Sequence, residues 1–237
     1  METNEMRPWD KFISEEEKKA YRSAGFGNKG GIGSKPVLLI IDVQYRTSGS
    51  SSKPFWESIK EYPTSCGEVA WRAIENITKI LRTFRESNWP VIYPHVAPKK
   101  LYDGGQLAAK VPKIMNISEE GYKFVKEIEP IDKDILIPKK HPSAFFGTSL
   151  SSYLVDLKAD TLILTGCTTS GCIRASVLDA FSLNYKIVVP EDAVYDRSFT
   201  SHAINLFDIS EKYADVMTSN QLEVKLKELR KKINFVK

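Results

Sequence analysis

Three side chains of complementary chemistry sit where apolar runs give way to polar sequence. Asp42 ends PVLLIID, Lys139 follows ILIP, and Cys172 lies in LILTGCTTSGCIRASVLDAFSLN. A thiol can attack a carbonyl carbon, a carboxylate can take its proton, and a cation can hold the thiolate and later charge. Cys172 opens a segment in which Ile173, Val177, Ala180 and Phe181 share one helical face, directly after a strand end at Leu162, Ile163 and Leu164. The first helical turn leaves N–H groups unpaired and carries the positive end of the dipole. A thiolate is therefore favoured over a thiol there, and an oxyanion can be held once the sulfur has attacked. Locally, Cys172 reads equally well as a small buried packing residue.

Chemistry of this kind needs a frame that brings the three strand ends to one edge. Six strands are expected at 36–42, 91–93, 135–138, 161–165, 186–190 and 214–217. Helices alternate with them. Ser14 and Glu17 form a capping box, as do Ser65 and Glu68, the second one before a stripe of Ala70, Ile74, Ile77, Leu81 and Phe84. Thr148 or Ser149 caps a helix carrying Leu150, Tyr153, Leu154 and Leu157. Another helix covers 198–210, and Ser219 caps a last one with Leu222, Leu226, Leu229 and Ile233 on its face. The alternation predicts a doubly wound, Rossmann-like three-layer α/β sandwich around a mainly parallel six-stranded sheet. In such sheets ligands bind at the C-terminal strand edge, where all three candidates lie.

Residues 1–35 read as a polar arm whose glycines form a flexible lead-in, with a subunit interface as its expected packing site; 36–237 read as the α/β domain that carries the three candidates. Residues 43–66 read as an irregular connection and 97–134 as weakly patterned, the first part of the latter suited to a substrate-covering lid. The chain of 237 residues, 42% hydrophobic and 27% charged, has the balance of a soluble globular protein. The apolar run Val37 to Ile41 is too short to span a bilayer, and the N-terminus lacks a secretory apolar region, so a cytoplasmic protein without membrane attachment is expected. Three cysteines without a CxxC pair point away from disulfides and structural metal. The net charge of +4 is spread among acids, and KLKELRKKI reads as a helix with its cations at the favourable end rather than as a nucleic-acid patch. PVLLIID is not followed by a dinucleotide-binding glycine fingerprint, which argues against a nucleotide-binding Rossmann protein.

The pieces LLIIDVQ, PKKHPSAFFGTSL and LTGCTTSGCIRASVLDAF, in this order, resemble the isochorismatase-like cysteine hydrolases, and within them the N-carbamoylsarcosine amidase group. The resemblance covers about residues 36–218. It implies Asp42 as general base, Lys139 as the triad lysine (Lys140 being its neighbour) and Cys172 as nucleophile. It also implies a cis peptide between Cys167 and Thr168, with the Thr168 and Cys172 N–H groups as the oxyanion hole. Arg197 is implied as a substrate-carboxylate anchor, joined by the Thr168 and Thr169 hydroxyls, with Phe145 and Phe146 walling the pocket. Cys66 receives no role. Related nicotinamidases hold zinc through an aspartate and histidines, but only His95, His141 and His202 exist here and no such cluster follows Asp42, so no metal and no cofactor are expected. Isochorismatase itself lacks the cysteine, so C–N cleavage is favoured over vinyl-ether hydrolysis. The implied activity is an amidohydrolase acting on a linear amide, with N-carbamoylsarcosine giving sarcosine, carbon dioxide and ammonia; a biuret or ureido-acid hydrolase and a maleamate-type amidase are the nearby alternatives. A catalytically silent binding or assembly protein of the same fold is the non-enzymatic one. A homo-oligomer, tetramers being common in the family, is the implied assembly.

Overall fold

In the computed structural model, which describes residues 6–100 and 102–235, the apolar runs become seven strands. These are β1 Pro36–Ile41, β2 Val91–Val96, β3 Ile135–Lys139, β4 Thr161–Cys167, β5 Lys186–Pro190, β6 Val194–Tyr195 and β7 Asp215–Met217. The order across the sheet is β3-β2-β1-β4-β5-β7, with β6 also paired to β4, and all these pairings are parallel. A parallel sheet is covered on both faces, and all six residues of β1 are buried. Leu38 and Ile40 point into one apolar cluster while Leu39 and Ile41 point into the other.

The helices are α1 Glu15–Ser23, α2 Tyr45–Ser48, α3 Phe55–Glu61, α4 Glu68–Glu86, α5 Gly105–Lys110, α6 Leu150–Asp156, α7 Arg174–Ser182, α8 Phe199–Lys212 and α9 Ser219–Phe235. The expected stripe of α4 is buried at every position, beside Leu222 and Leu226 of α9. On the opposite face Leu150 and Leu154 of α6, Val177 and Ala180 of α7, and Leu206 of α8 fill the second cluster. No helix among the described residues is long and apolar enough to cross a membrane.

Chain order sets the place of the site. β1, β2 and β3 run outward in one direction, and β4 then returns to the other side of β1. The connections leaving β1 and β4 therefore part to opposite sides, which opens a crevice at their C-terminal ends. Register brings Ile41 level with Gly166, so Asp42 and the cysteine turn emerge side by side.

Several local expectations are corrected. Residues 43–66 contain α2 and α3 rather than an irregular run. Ser65 does not cap α4: its hydroxyl pairs with Ser58 (2.6 Å), and Gly67, at φ +68°, starts the helix. A Cβ on Gly67 would lie 2.9 Å from the Lys53 carbonyl oxygen, so the entry requires glycine. Phe181 is half-exposed because it lies about 80° around the helix from Ile173.

The described part of the N-terminal arm packs on its own chain. Trp9 is buried edge-on against Phe207, and Arg7 Nη2 donates to the Val216 carbonyl (2.6 Å). The arm glycines are tied down, since the Asp215 carboxylate accepts the Gly30 and Gly31 N–H groups (2.8 and 3.0 Å). Residues 1–5 of the arm, 236–237 of the expected domain and Leu101 of the expected lid lie outside the described residues. The stretch 97–134 holds α5 and short 3-10 turns, and its second half is anchored by the fully buried Val125 and Ile128.

Candidate active site

Asp42 leaves β1 through a left-handed residue, φ +55°, stabilised on several sides. Its N–H donates to the Pro94 carbonyl (2.9 Å), and its own carbonyl accepts the Gln44 N–H (3.0 Å) and the Thr47 hydroxyl (2.6 Å). Gln44 repeats the pattern one turn on: Nε2 donates to the carbonyls of Tyr122 (2.5 Å) and Val96 (3.2 Å), and Oε1 accepts the Val96 N–H (3.1 Å). The Asp42 carboxylate is thus fixed in a buried place, 2% exposed, with Oδ1 lacking a hydrogen-bond partner.

β4 lies against β1 closely enough that a Cβ at Gly166 would stand 2.1 Å from the Ile41 carbonyl oxygen. Beyond it the Cys167–Thr168 peptide is cis, at the expected position. The Thr168 carbonyl accepts from Gly171 (2.9 Å) and Ile173 (3.1 Å), and the second bond spans five residues. Thr169–Ile173 is consequently a π-helical turn, a widened geometry that interrupts the regular ladder and recurs at functional sites. Cys172 sits in it, half-buried, immediately before α7.

Lys139 is the last residue of β3 and is only 2% exposed. Its Nζ lies 2.7 Å from Asp42 Oδ2 and 3.4 Å from Cys172 Sγ, and it donates to the carbonyls of His141 (3.1 Å) and Pro142 (3.2 Å). The loop after β3 thus folds back over its own lysine. It is locked to α7 by Ser143, which donates to Asp179 (2.5 Å), and by Ser176, which donates to the Cys172 carbonyl (2.7 Å) and accepts the Ala144 N–H (2.9 Å).

The charges of this cluster are coupled. Burial alone would depress Lys139, but the adjacent Asp42 carboxylate and Cys172 sulfur hold it above the ordinary lysine range. Burial pushes the Cys172 thiol up, and the charge of Asp42 pushes it further, against the opposing pull of Lys139. Cys172 thus stands beside an Asp42–Lys139 ion pair in surroundings that oppose the thiolate expected from the helix start. The dipole of one short turn is outweighed by desolvation and an anion at close range. The other two thiols are buried bystanders: Cys66 is pushed up to about 12 by burial, and Cys167 also lies above the ordinary thiol range for the same reason.

The remaining candidates are placed unevenly. Thr168 is half-buried in the turn, while the Thr169 hydroxyl is turned to His202 Nδ1 (2.8 Å). Arg197 is exposed, its Nη2 donating to the Thr64 carbonyl. Phe145 belongs to the apolar core, and the exposed Phe146 packs edge-on against His141. His95 bonds the Tyr93 carbonyl (3.0 Å). No group of three His, Cys, Asp or Glu side chains among the described residues is arranged to hold a metal ion.

Three neighbours escaped the sequence reading. His202 supports the cysteine turn through Thr169 and is depressed to about 4 by burial, so it is neutral at physiological pH. Gln44 lay in the quoted LLIIDVQ run but signals nothing by type. Arg46 is 4% exposed, four residues after Asp42, in a stretch without periodicity.

A sequence profile of the isochorismatase domain matches residues 36–221 of this chain. The chain belongs to the isochorismatase family. It is 34% identical over 210 residues to the maleamate amidohydrolase of Pseudomonas putida, covering 86% of this chain and 92% of that one. To the N-carbamoylsarcosine amidase of an Arthrobacter species it is 28% identical over 209 residues, 85% and 75% of the two chains. The fold matches a cysteine hydrolase from Pseudomonas syringae pv. phaseolicola with a TM-score of 0.74 at 18% identity, covering 83% of this chain and 94% of that one. As a member of this family with amidase-named relatives over most of its length, the chain is an amidohydrolase.

Proposed function

We infer that this isochorismatase-family enzyme hydrolyses the amide of a short, carboxylate-bearing substrate through Asp42, Lys139 and Cys172. The observation that carries this is the position of Lys139 Nζ, 2.7 Å from the Asp42 carboxylate and 3.4 Å from the Cys172 sulfur in a water-poor corner of the crevice. Asp42 takes the Sγ proton as sulfur attacks the amide carbon. The Thr168 and Cys172 N–H groups hold the resulting oxyanion, and Lys139 offsets the negative charge passing between sulfur and carboxylate. The tetrahedral adduct collapses as Asp42 returns the proton to nitrogen, so that ammonia leaves and an acyl thioester remains. Water then gives a proton to Asp42 and attacks the thioester, and the sulfur departs with that proton as the restored thiol.

Among substrates, a maleamate-type monoamide is favoured over N-carbamoylsarcosine, because the relative named for the first matches more closely and over nearly its whole length. Ammonia release from maleamate, N-carbamoylsarcosine, biuret and nicotinamide by the wild type and by Cys172→Ala tests both parts. Turnover that Cys172→Ala retains would remove the nucleophile assignment, and turnover of biuret alone would remove the carboxylate. A cytoplasmic homo-oligomer is the expected setting, on cysteine usage and family resemblance; light scattering checks the assembly.

A further inference from the structure

Arg46 is a buried cation without a counter-ion. Its Nε and Nη1 are shielded from solvent and have no hydrogen-bond partner, and no carboxylate among the described residues pairs with it. Its guanidinium carbon stacks 5.0 Å from the centre of the Tyr122 ring. Stacking uses the face of the guanidinium and leaves the in-plane donors free. The rest of the residue is well fastened, since its carbonyl accepts the Thr64 hydroxyl (2.7 Å) and the Gln44 amide holds the Tyr122 carbonyl beside it. A charge this deeply desolvated is normally paired.

A second cation lies close to the Lys139 end of the cluster. Lys99, half-buried in the loop after β2, makes long contacts of 3.5 Å to the carbonyls of Asp103 and Lys140. The Asp103 carboxylate is taken by Lys140 (2.5 Å). Contact with Lys140 puts Lys99 one residue from the site lysine. Burial holds Lys99 below the ordinary lysine range, and the like charge of Arg46 comes next, with Lys139 and Lys140 adding and Asp103 opposing. Lys139 is neutralised by Asp42 at 2.7 Å, whereas two guanidinium nitrogens of Arg46 are left without an acceptor.

We propose that Arg46 and Lys99 form an anion subsite beside the Asp42–Lys139–Cys172 cluster, which takes the carboxylate of the substrate while its amide lies at Cys172. This rests on the amidase reading above and deepens it: the guanidinium fork binds two carboxylate oxygens in plane, and Lys99 closes over them from the loop. Arg197, exposed and already donating to the Thr64 carbonyl, contributes at the rim.

The test is calorimetric binding to the Cys172→Ala protein, which does not turn over, with maleamate and the neutral diamide maleamide as probes. Maleamate is expected to bind at least about tenfold more tightly than maleamide. Adding Arg46→Met should weaken maleamate by about 30-fold and leave maleamide within about twofold. Arg46→Lys, which keeps charge and volume, should fall in between, and Lys99→Met should cost maleamate about fivefold. Thermal midpoints of the variants confirm folding. Equal binding of the two probes, or a maleamate preference that survives both Arg46 substitutions, would overturn the subsite. If wild type released no ammonia from maleamate while the Arg46-dependent preference held, the subsite would stand and the substrate assignment would fall.

Discussion

Lys139 and Arg46 are cations of almost equal burial on the same sheet edge, yet one is surrounded by acceptors and the other by none. Lys139 has a carboxylate and two carbonyls within hydrogen-bond range, and the thiol as a fourth neighbour. Arg46 has an aromatic face and two orphaned nitrogens. The difference separates groups that must be poised before substrate arrives from groups that substrate itself completes. A paired buried cation supports its own fold; an unpaired one costs stability until an anion joins it.

The largest effect should follow from breaking the closed side. Asp42→Asn keeps shape and removes the proton acceptor, so turnover should fall by about a thousandfold or more in steady-state ammonia assays. The same change removes an anion that raises the Cys172 thiol, so thiolate should form at lower pH than in wild type; the pH dependence of iodoacetamide labelling reads this. Loss of turnover with an unshifted labelling profile would contradict the charge coupling. Lys139→Met should destabilise the fold by about 3–5 kcal/mol in urea unfolding, because it strands the Asp42 carboxylate in a buried place.

On the open side the sign reverses. Arg46→Met should leave the unliganded protein as stable as wild type or more stable by about 1 kcal/mol, since it removes an unpaired charge. A marked fall in the urea midpoint would show that Arg46 is structural after all.

A further effect, confined to acid pH, concerns His202, which braces the cysteine turn through Thr169. Its folded pKa of about 4 lies below the unfolded value of 6.5, so the unfolded chain binds the proton more tightly. Stability from the neutral imidazole is complete above pH 6.5 and is lost as pH falls toward 4, by about 3 kcal/mol. His202→Gln should flatten this slope in unfolding measured across that window.

Much of this layout was legible beforehand for a physical reason. Short apolar runs such as Val37 to Ile41, bounded by turn residues and rich in Val and Ile, fit doubly covered strands, and a polar residue ending such a strand lies on the sheet edge. Asp42, Lys139 and Cys172 were found by that rule together with motif order. Arg46, Lys99 and His202 were not, because their meaning lies in what surrounds them in space. Nothing in the sequence tells a paired arginine from an orphaned one. The state of Cys172 was misjudged likewise, since a helix start is visible in sequence but the burial and the neighbouring Asp42 charge that outweigh it are not. β6 escaped because two residues carry no period, and α3 because FWESIKE follows a serine-rich run without a cap.

The central claim is that Cys172 carries the acyl group. Wild-type enzyme mixed with excess maleamate and quenched in acid within the first turnovers should show a mass increase equal to the substrate less ammonia, located by digestion to the peptide containing Cys172 and absent from Cys172→Ala. Steady turnover without that adduct, persisting in Cys172→Ala, would contradict it.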